Sequence, residues 1–162
     1  MNQADITVHD RPVVDAALTE SERTDGPAAA LELPDGSIVT GKTSDLLGAC
    51  SALLLNALKE LAGIGHEIKI ISPQAIEPIQ SLKTKYLGSR NPRLHTDEVL
   101  IALSVSAATS KDAKLAMEQL PKLKGCQAHV SVMPGSVDIK QFKLLSIQAT
   151  FEAKYEKNSV FF

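Results

Sequence analysis

Two segments of the sequence carry side chains that suit the binding of an anion. The first lies where a predicted strand passes into a predicted helix, and it contains Lys42, Thr43, Ser44 and Asp45. Unpaired backbone N–H groups at a helix N-terminus attract negative charge, and a lysine and two hydroxyls add further donors. The pattern predicts a phosphate or carboxylate site, with a simple helix cap and a solvated lysine as the alternative.

The second segment, residues 89–98, is the densest run of functional side chains in the chain. Its ligand-binding candidates are Arg90, Asn91, Arg93 and His95. Residues 79–93 carry four positive charges and no negative charge. Because paired arginines match the geometry of carboxylates and phosphates, we expect this loop to bind a small anion or to form an interface. The alternative is a solvated loop whose arginines pair with the acidic N-terminal helix or with a neighbouring subunit.

Residues 36–43 match the P-loop pattern of nucleotide-binding proteins letter by letter. A P-loop places its first glycine after a buried strand and wraps the following backbone around phosphates. Here Gly36 belongs to a Pro-Asp-Gly turn, and the next four residues favour a strand. We therefore expect a hairpin rather than a nucleotide site. A stand-alone phosphotransferase that binds Mg-ATP is the less favoured interpretation.

Other chemistry finds little support in the sequence. Cys126 and His129 have the right types for a metal site but lack a second pair of ligands, so we expect no metal and a buried histidine. No serine occupies a nucleophile elbow. Only Tyr86 stands among the basic residues, which argues against a nucleic-acid surface. Neither a catalytic residue nor a cofactor can be assigned.

The composition is that of a folded domain of ordinary size. The chain has 162 residues, is 44% hydrophobic and has a pI near 6.1, which excludes disordered and fibrous classes. Two cysteines, Cys50 and Cys126, predict buried free thiols rather than a disulfide framework. The first twenty residues lack a secretory signal, and no stretch is long enough to span a membrane. We expect a cytoplasmic protein.

The charge is distributed unevenly. Residues 1–35 hold eight acidic residues and two arginines, for a net charge of −6, and the remaining residues carry +4. We expect residues 1–26 to be an acidic helical arm, with Asp10 as the predicted N-cap, Pro12 in the first turn and an end near Arg23.

Strands alternate with helices in the rest of the chain. The predicted strands cover 29–33, 37–41, 67–72, 127–133 and 146–155, and the helices cover 46–63, 74–88, 99–109, 111–120 and 137–145. Predicted caps are Ser44 with Asp45, Ser72, Thr96, Ser110 and Ser136, and Gly63 ends the first of these helices. That helix is apolar on nearly every face. The fold class is therefore α/β, a layered domain over 27–155 with a mixed sheet, one buried central helix and the N-terminal helical arm.

Three long runs resemble the C-terminal part of the uncharacterised bacterial domain-of-unknown-function family 1846. They cover residues 31–64, 72–108 and 120–133 within a match of about 8–153, and the tail at 156–162 falls outside it. Members of that family are longer and carry a large N-terminal region with its own glycine-rich, nucleotide-binding-like sequence. The resemblance implies that this chain is the C-terminal third of a longer protein. It implies no reaction.

Two hypotheses follow. In the first, the domain binds a small phosphate or carboxylate as part of a larger enzyme of unknown chemistry. In the second, it is a structural or oligomerisation domain whose arginine-rich loop contacts another copy of itself or the N-terminal domain of the longer protein.

Overall fold

The structure is a computed structural model that describes residues 11–153. Within this range the strands are β1 (Ala28–Glu32), β2 (Ile38–Lys42), β3 (Gln127–Val130) and β4 (Gln148–Phe151). The helices are α1 (Pro12–Thr24), α2 (Ala49–Ala62), α3 (Pro73–Ser81), α4 (Thr96–Ser106), α5 (Lys111–Met117) and α6 (Ser136–Leu144). A π-helical turn over Leu82–Tyr86 continues α3, and a 3-10 turn over Leu120–Leu123 follows α5.

The four strands form one mixed sheet in the order β2-β1-β3-β4, as the hairpin predicted. β1 pairs antiparallel with both β2 and β3, and β3 pairs parallel with β4. The β1–β2 turn is closed by Asp35, whose Oδ1 accepts hydrogen bonds from the backbone N–H and the hydroxyl of Ser37. Gly36 has φ +88°, a value that suits glycine.

Each face of the sheet packs against a different layer of helices. In β1, Ala29 and Leu31 belong to the main core with α2, whereas Ala30 packs against Val13 and Ala17 of α1. This alternation follows from the two-residue period of a strand. The acidic arm thus has an apolar stripe that lies on the sheet. Asp10, its predicted N-cap, lies outside the described residues, and Arg11 occupies the N-cap position of α1.

The helix predicted to be central and buried is α2. Nine of its fourteen residues are buried, among them Leu53, Leu54, Leu58 and the polar Lys59. Gly63 ends α2 in the left-handed conformation, as predicted. The α/β layered architecture is confirmed.

The buried histidine is also confirmed. His129 of β3 is fully buried, with Nδ1 2.7 Å from Thr150 Oγ1 and Nε2 2.6 Å from Glu152 Oε2. Arg11 donates from Nη1 to the same Thr150 hydroxyl at 2.8 Å. These contacts fix the α1 helix to the β3–β4 half of the sheet, and they account for a histidine inside a strand without a metal.

The strand predicted over residues 67–72 is wrong. These residues form turns and irregular backbone with no strand pairing, although Ile70 and Ile71 are buried. Their alternating pattern is typical of a strand, but a strand also needs a neighbour to accept its hydrogen bonds. β2 and β4 are the edge strands of the described sheet, and neither pairs with this segment.

Several boundaries differ from the predicted ones. The helix expected over 74–88 passes at Leu82 into a π-helical turn, β3 stops at Val130, and β4 covers only Gln148–Phe151. Residues 154–155 of that predicted strand and the tail at 156–162 lie outside the described residues. α4 begins three residues earlier than expected, with His95 rather than Thr96 as the N-cap. Gly135, not Ser136, is the N-cap of α6.

Candidate functional site

The first predicted segment does not cap a helix. α2 begins only at Ala49 with Gly48 as its N-cap, so the assignment of Ser44 and Asp45 as caps is wrong. Ser44 instead closes a tight turn: its Oγ accepts hydrogen bonds from the N–H groups of Leu46 and Leu47, and its own N–H donates to the Leu47 carbonyl. Residues 45–48 must connect β2 to the buried face of α2, and the turn supplies that connection.

The backbone donors of this segment are largely used within the fold. The Thr43 N–H donates to the Pro27 carbonyl at 3.1 Å, and the Ser44 N–H is taken by the turn. A phosphate cradle built from these N–H groups would therefore have to break existing bonds. An anion at this position must be held mainly by side chains.

Arg93 connects the two predicted segments. Its Nε donates to the Ser44 carbonyl at 2.6 Å. Directly beside it, Leu47 and Leu94 form an isolated parallel bridge, in which the Leu94 N–H donates to the Leu46 carbonyl at 3.0 Å. The structure thus places the loops around Ser44 and Arg93 against each other, which the sequence suggested only by residue type. We call the surface formed by residues 44–45 and 90–95 the Ser44–Arg93 junction.

The arginine-rich loop has a defined conformation. Ser89 Oγ accepts from the Asn91 N–H, and Asn91 Oδ1 accepts from the Arg93 N–H at 3.0 Å. Beneath the loop, the buried Lys83 donates to the Arg93 carbonyl and, at 2.8 Å, to Glu98 Oε1. The Glu98 carboxylate also accepts the backbone N–H of His95. Two charges with good hydrogen bonds therefore support the loop from inside.

Charge is unevenly compensated across the junction. Lys83 forms an ion pair with Glu98. Arg93 uses one N–H to hold Ser44 and has no carboxylate within 4 Å among residues 11–153. Its remaining guanidinium N–H groups are partly exposed donors in a fixed fork, which is the geometry that carboxylates and phosphates accept.

The other predicted ligand residues lie at or near this surface, with one exception. Asp45 is exposed, and its carbonyl accepts from Gln80 Nε2 at 2.9 Å. Arg90 is exposed on the loop, and His95 is half-buried at the start of α4. Lys42 is different. It pairs with Ala28 in the β1–β2 register, so its side chain belongs to the face covered by α1 rather than the face covered by α2.

Lys42 acts electrostatically on the acidic arm. The hydrogen bond from Arg23 holds the pKa of Glu20 below its usual value, and the nearby charge of Lys42 lowers that pKa further. Lys42 is therefore oriented away from Arg93.

The P-loop match has a structural explanation. Ile38–Lys42 is the strand β2, paired along its length with β1. A Cβ on Gly41 would lie 2.6 Å from Leu53 Cα and 2.8 Å from the Ala49 carbonyl oxygen. The glycine is required by the close approach of α2 to the sheet, and the residues between the two glycines are not a loop.

The cleft that the sequence did not predict lies next to the junction. An open cleft of about 390 Å³ lies between α2, residues 64–72 and α3, and Leu46 and Leu47 form part of its wall. Lys59 lines it and is only 8% exposed. Burial lowers the pKa of Lys59, while the charge of Glu67 opposes that shift.

Both thiols are buried, as predicted. Burial raises the pKa of the Cys126 thiol, which keeps it protonated near neutral pH. Among residues 11–153, no three His, Cys, Asp or Glu side chains are placed to hold a metal ion.

A family model described as domain of unknown function DUF1846, C-terminal, matches residues 9–161. This is nearly the whole chain. The protein belongs to the DUF1846 family. The family resemblance of the three sequence runs is thereby confirmed. The match also continues through residues 154–161, beyond the region of about 8–153 over which the resemblance was predicted.

Bacterial relatives of the DUF1846 chain are named UPF0371 proteins. It is 55% identical to one from Corynebacterium glutamicum over 161 residues, and 56% identical to one from Corynebacterium efficiens. A Streptococcus thermophilus relative is 48% identical. Each alignment covers 99% of this chain but only 32–33% of the relative. The chain spans about a third of the length of the curated relatives it matches.

Sequence reasoning missed three polar residues whose side chains join separate parts of this DUF1846 domain. Ser51 of α2 donates to the Leu94 carbonyl at 2.8 Å, and Asp138 of α6 accepts from both the N–H and the hydroxyl of Thr96. Lys59 of the same helix is buried and donates to the His66 carbonyl at 2.7 Å. A polar residue at an apolar helix position was the available signal for Ser51 and Lys59, whereas Asp138 is 42 residues from its partner and gave none.

No helix among the described residues is long and apolar enough to cross a lipid bilayer. The cytoplasmic location stays a prediction.

Proposed function

We propose that this domain binds a small phosphate or carboxylate at the Ser44–Arg93 junction and contributes that anion subsite to a larger enzyme. The observation that carries the proposal is the position of Arg93, which is fixed by one N–H on the Ser44 carbonyl while its other donors have no carboxylate partner among the described residues. An arginine that is held in place and still has donors available loses little entropy when it binds an anion.

The surrounding residues support an anion rather than a cation. Residues 79–93 contribute four basic side chains, and Glu98 forms an ion pair with one of them, the buried Lys83. Asn91, whose Oδ1 is taken by the Arg93 N–H, offers its side-chain amide as a further donor. Asp45 is the one acidic side chain of the junction, and it lies exposed at its edge.

The proposal is tested by titrating phosphate and acetate at constant ionic strength while the melting temperature is followed, because a ligand of the native state raises it. The phosphate-induced rise should be lost in Arg93→Gln and kept in Lys111→Gln, a matched change at an exposed lysine of α5. Each rise is measured against the variant's own melting temperature without ligand. An equal rise in Arg93→Gln and the parent, or none in the parent at millimolar phosphate, contradicts the proposal.

A second candidate function is supported by a separate observation. Tyr86 and Leu87 directly precede the arginine-rich loop and are 78% and 70% exposed. Aromatic residues and arginines are typical of the centres of protein interfaces, whereas exposed apolar clusters are rare on isolated domains. Since relatives continue for about twice the length matched here, we propose that the remainder of the family protein docks on Tyr86, Leu87 and Arg90.

This docking is tested by mixing the domain with the separately produced remainder of the Corynebacterium glutamicum relative and measuring heat of binding. Leu87→Ser should weaken the association, and Leu115→Ser on α5 serves as the exposed apolar control. Light scattering on the domain alone detects self-association instead. A dimer lost in Leu87→Ser, or no binding heat at all, would overturn the assignment of the remainder as occupant.

A further inference from the structure

The cleft between α2, residues 64–72 and α3 has the lining of a small-molecule site. Its apolar wall is formed by Leu46, Leu47, Ala52, Leu55, Ile70, Ile71, Pro73 and Ile76. Its polar lining comes from Asn56, Lys59, His66, Glu67 and Lys69. A volume of about 390 Å³ falls within the usual range for ligand pockets, and mostly apolar walls with a few polar groups are typical of them.

Lys59 is the residue that gives the cleft its chemistry. It lies in the last turn of the buried helix α2, and only 8% of it is exposed to solvent. Its ammonium donates to the His66 carbonyl at 2.7 Å, and it forms no ion pair within 4 Å among the described residues. A buried charge without a counter-charge is unfavourable, and an ammonium has three donors of which this carbonyl takes one.

The charges around Lys59 favour an anionic occupant. Glu67 is exposed and acts on Lys59 only through its charge, which the charge of Lys69, also exposed, opposes in part. Asn56 is half-buried, and its Nδ2 is already used by the Thr40 carbonyl at 2.8 Å. Lys59 is therefore the one buried charged residue among the described residues that line the cleft, and its charge is positive.

We infer that this cleft binds a small amphiphilic anion, a carboxylate carried on an apolar body, with the Lys59 ammonium as its counter-charge. The carboxylate supplies the counter-charge that Lys59 lacks within residues 11–153. The apolar body displaces water from the part of the cleft wall formed by Leu55, Ile70 and Ile76. This site is separate from the Ser44–Arg93 junction, where the donor is a partly exposed arginine, so either site can fail without the other.

The test compares three probes of equal chain length on the unmodified protein by calorimetry: hexanoate, hexan-1-ol and hexylammonium. Hexanoate should bind about tenfold or more tightly than either of the others, because only its headgroup forms a charge-assisted hydrogen bond. In Lys59→Met the affinity for hexanoate should fall to that for hexan-1-ol, and in Lys114→Met, a matched change at an exposed helical lysine, it should not change. Arg93→Gln should also leave it unchanged.

Equal affinity for hexanoate and hexan-1-ol, or hexanoate binding that survives in Lys59→Met, would overturn the inference. A second measurement needs no variant and therefore does not depend on its folding. The ¹³Cε resonances of the lysines, followed with pH, should show that hexanoate raises the pKa of Lys59 while hexan-1-ol does not. A Lys59 resonance that titrates identically with and without hexanoate contradicts the site.

Discussion

Arg93 Nε lies 2.6 Å from the carbonyl oxygen of Ser44 and donates a hydrogen bond to it across 49 residues of sequence. This bond joins the end of β2 to the start of α4, two places that share no secondary structure. It also fixes a guanidinium group at the surface. This contact therefore stabilises the fold and also orients the Arg93 side chain for an anion. Measurements of stability and of anion binding distinguish the two roles.

The structural role of Arg93 predicts a loss of stability when its fork is removed. In Arg93→Lys the charge remains but the Nε donor is lost, so the free energy of unfolding should fall by about 1 kcal/mol. Urea denaturation measures the change. Arg23→Lys is the matched control, because Arg23 is exposed and bonds only to Glu20 on its own helix, and it should change the free energy of unfolding little. Equal losses in the two variants would show that the bond to Ser44 stabilises nothing.

The ion pair between the buried Lys83 and the partly buried Glu98 predicts non-additive effects of substitution. Glu98→Gln keeps an oxygen that can accept the His95 N–H but leaves the Lys83 charge without its counter-charge, and it should destabilise by about 2–4 kcal/mol. Adding Lys83→Met removes the uncompensated charge and should recover part of that loss. A double-mutant cycle measured by urea denaturation checks this. Purely additive effects would mean that the 2.8 Å contact carries no coupling.

The close packing at Gly41 predicts that its substitution acts through stability. Gly41→Ala places a methyl group against the α2 backbone at Leu53 and Ala49 and should cost about 2 kcal/mol or more. Gly26→Ala, where nothing lies within 4 Å, should be nearly neutral in thermal denaturation. Mg-ATP should change the melting temperature of neither protein. A rise with Mg-ATP in the parent that Gly41→Ala abolishes would restore the P-loop interpretation.

The buried Lys59 predicts a pH dependence of defined sign. Burial lowers the pKa of Lys59 in the folded state. The folded protein therefore loses this proton at a lower pH than the unfolded chain, in which lysines titrate at about 10.4. Between these two pKa values the unfolded state binds more protons, and stability rises with pH. Lys59→Met should therefore be more stable than the parent near pH 7, and the difference should shrink as the pH approaches 10.

The charges of Glu67 and Lys69 already contribute to this lowered pKa, and the opposing charge of Glu67 does not reverse its direction. Denaturation of the parent and Lys59→Met at several pH values measures the difference directly. A difference that stays constant from pH 7 to pH 10 would mean that Lys59 does not titrate differently in the folded and unfolded states.

Local signals in the sequence predicted the elements whose stabilising contacts are local. Ser110 caps α5 by accepting the Ala113 N–H, Gly63 ends α2 in the left-handed conformation, and Asp35 closes the β1–β2 turn. Each of these bonds joins residues four or fewer positions apart. The buried α2 was also predicted, since its apolar residues cover nearly every face.

Features that depend on distant partners were not predicted. Residues 67–72 have the pattern of a strand, but whether a strand forms depends on a neighbouring strand that periodicity does not reveal. Ser44 has the type of a helix cap, yet Leu94 and Arg93 draw the chain into a turn before α2 begins. Lys59 looks exposed by type and is buried by the later segment 64–72. In each case contacts far along the chain override the local preference.

The central claim is that the Ser44–Arg93 junction binds a small anion, and the side-chain N–H signals of Arg93 and Asn91 report on it most directly. Phosphate is titrated into ¹⁵N-labelled protein at constant ionic strength while these signals are followed by NMR. We predict that both shift together and saturate with one dissociation constant. Signals of Arg93 and Asn91 that stay in place, or that drift linearly without saturation, would contradict the claim.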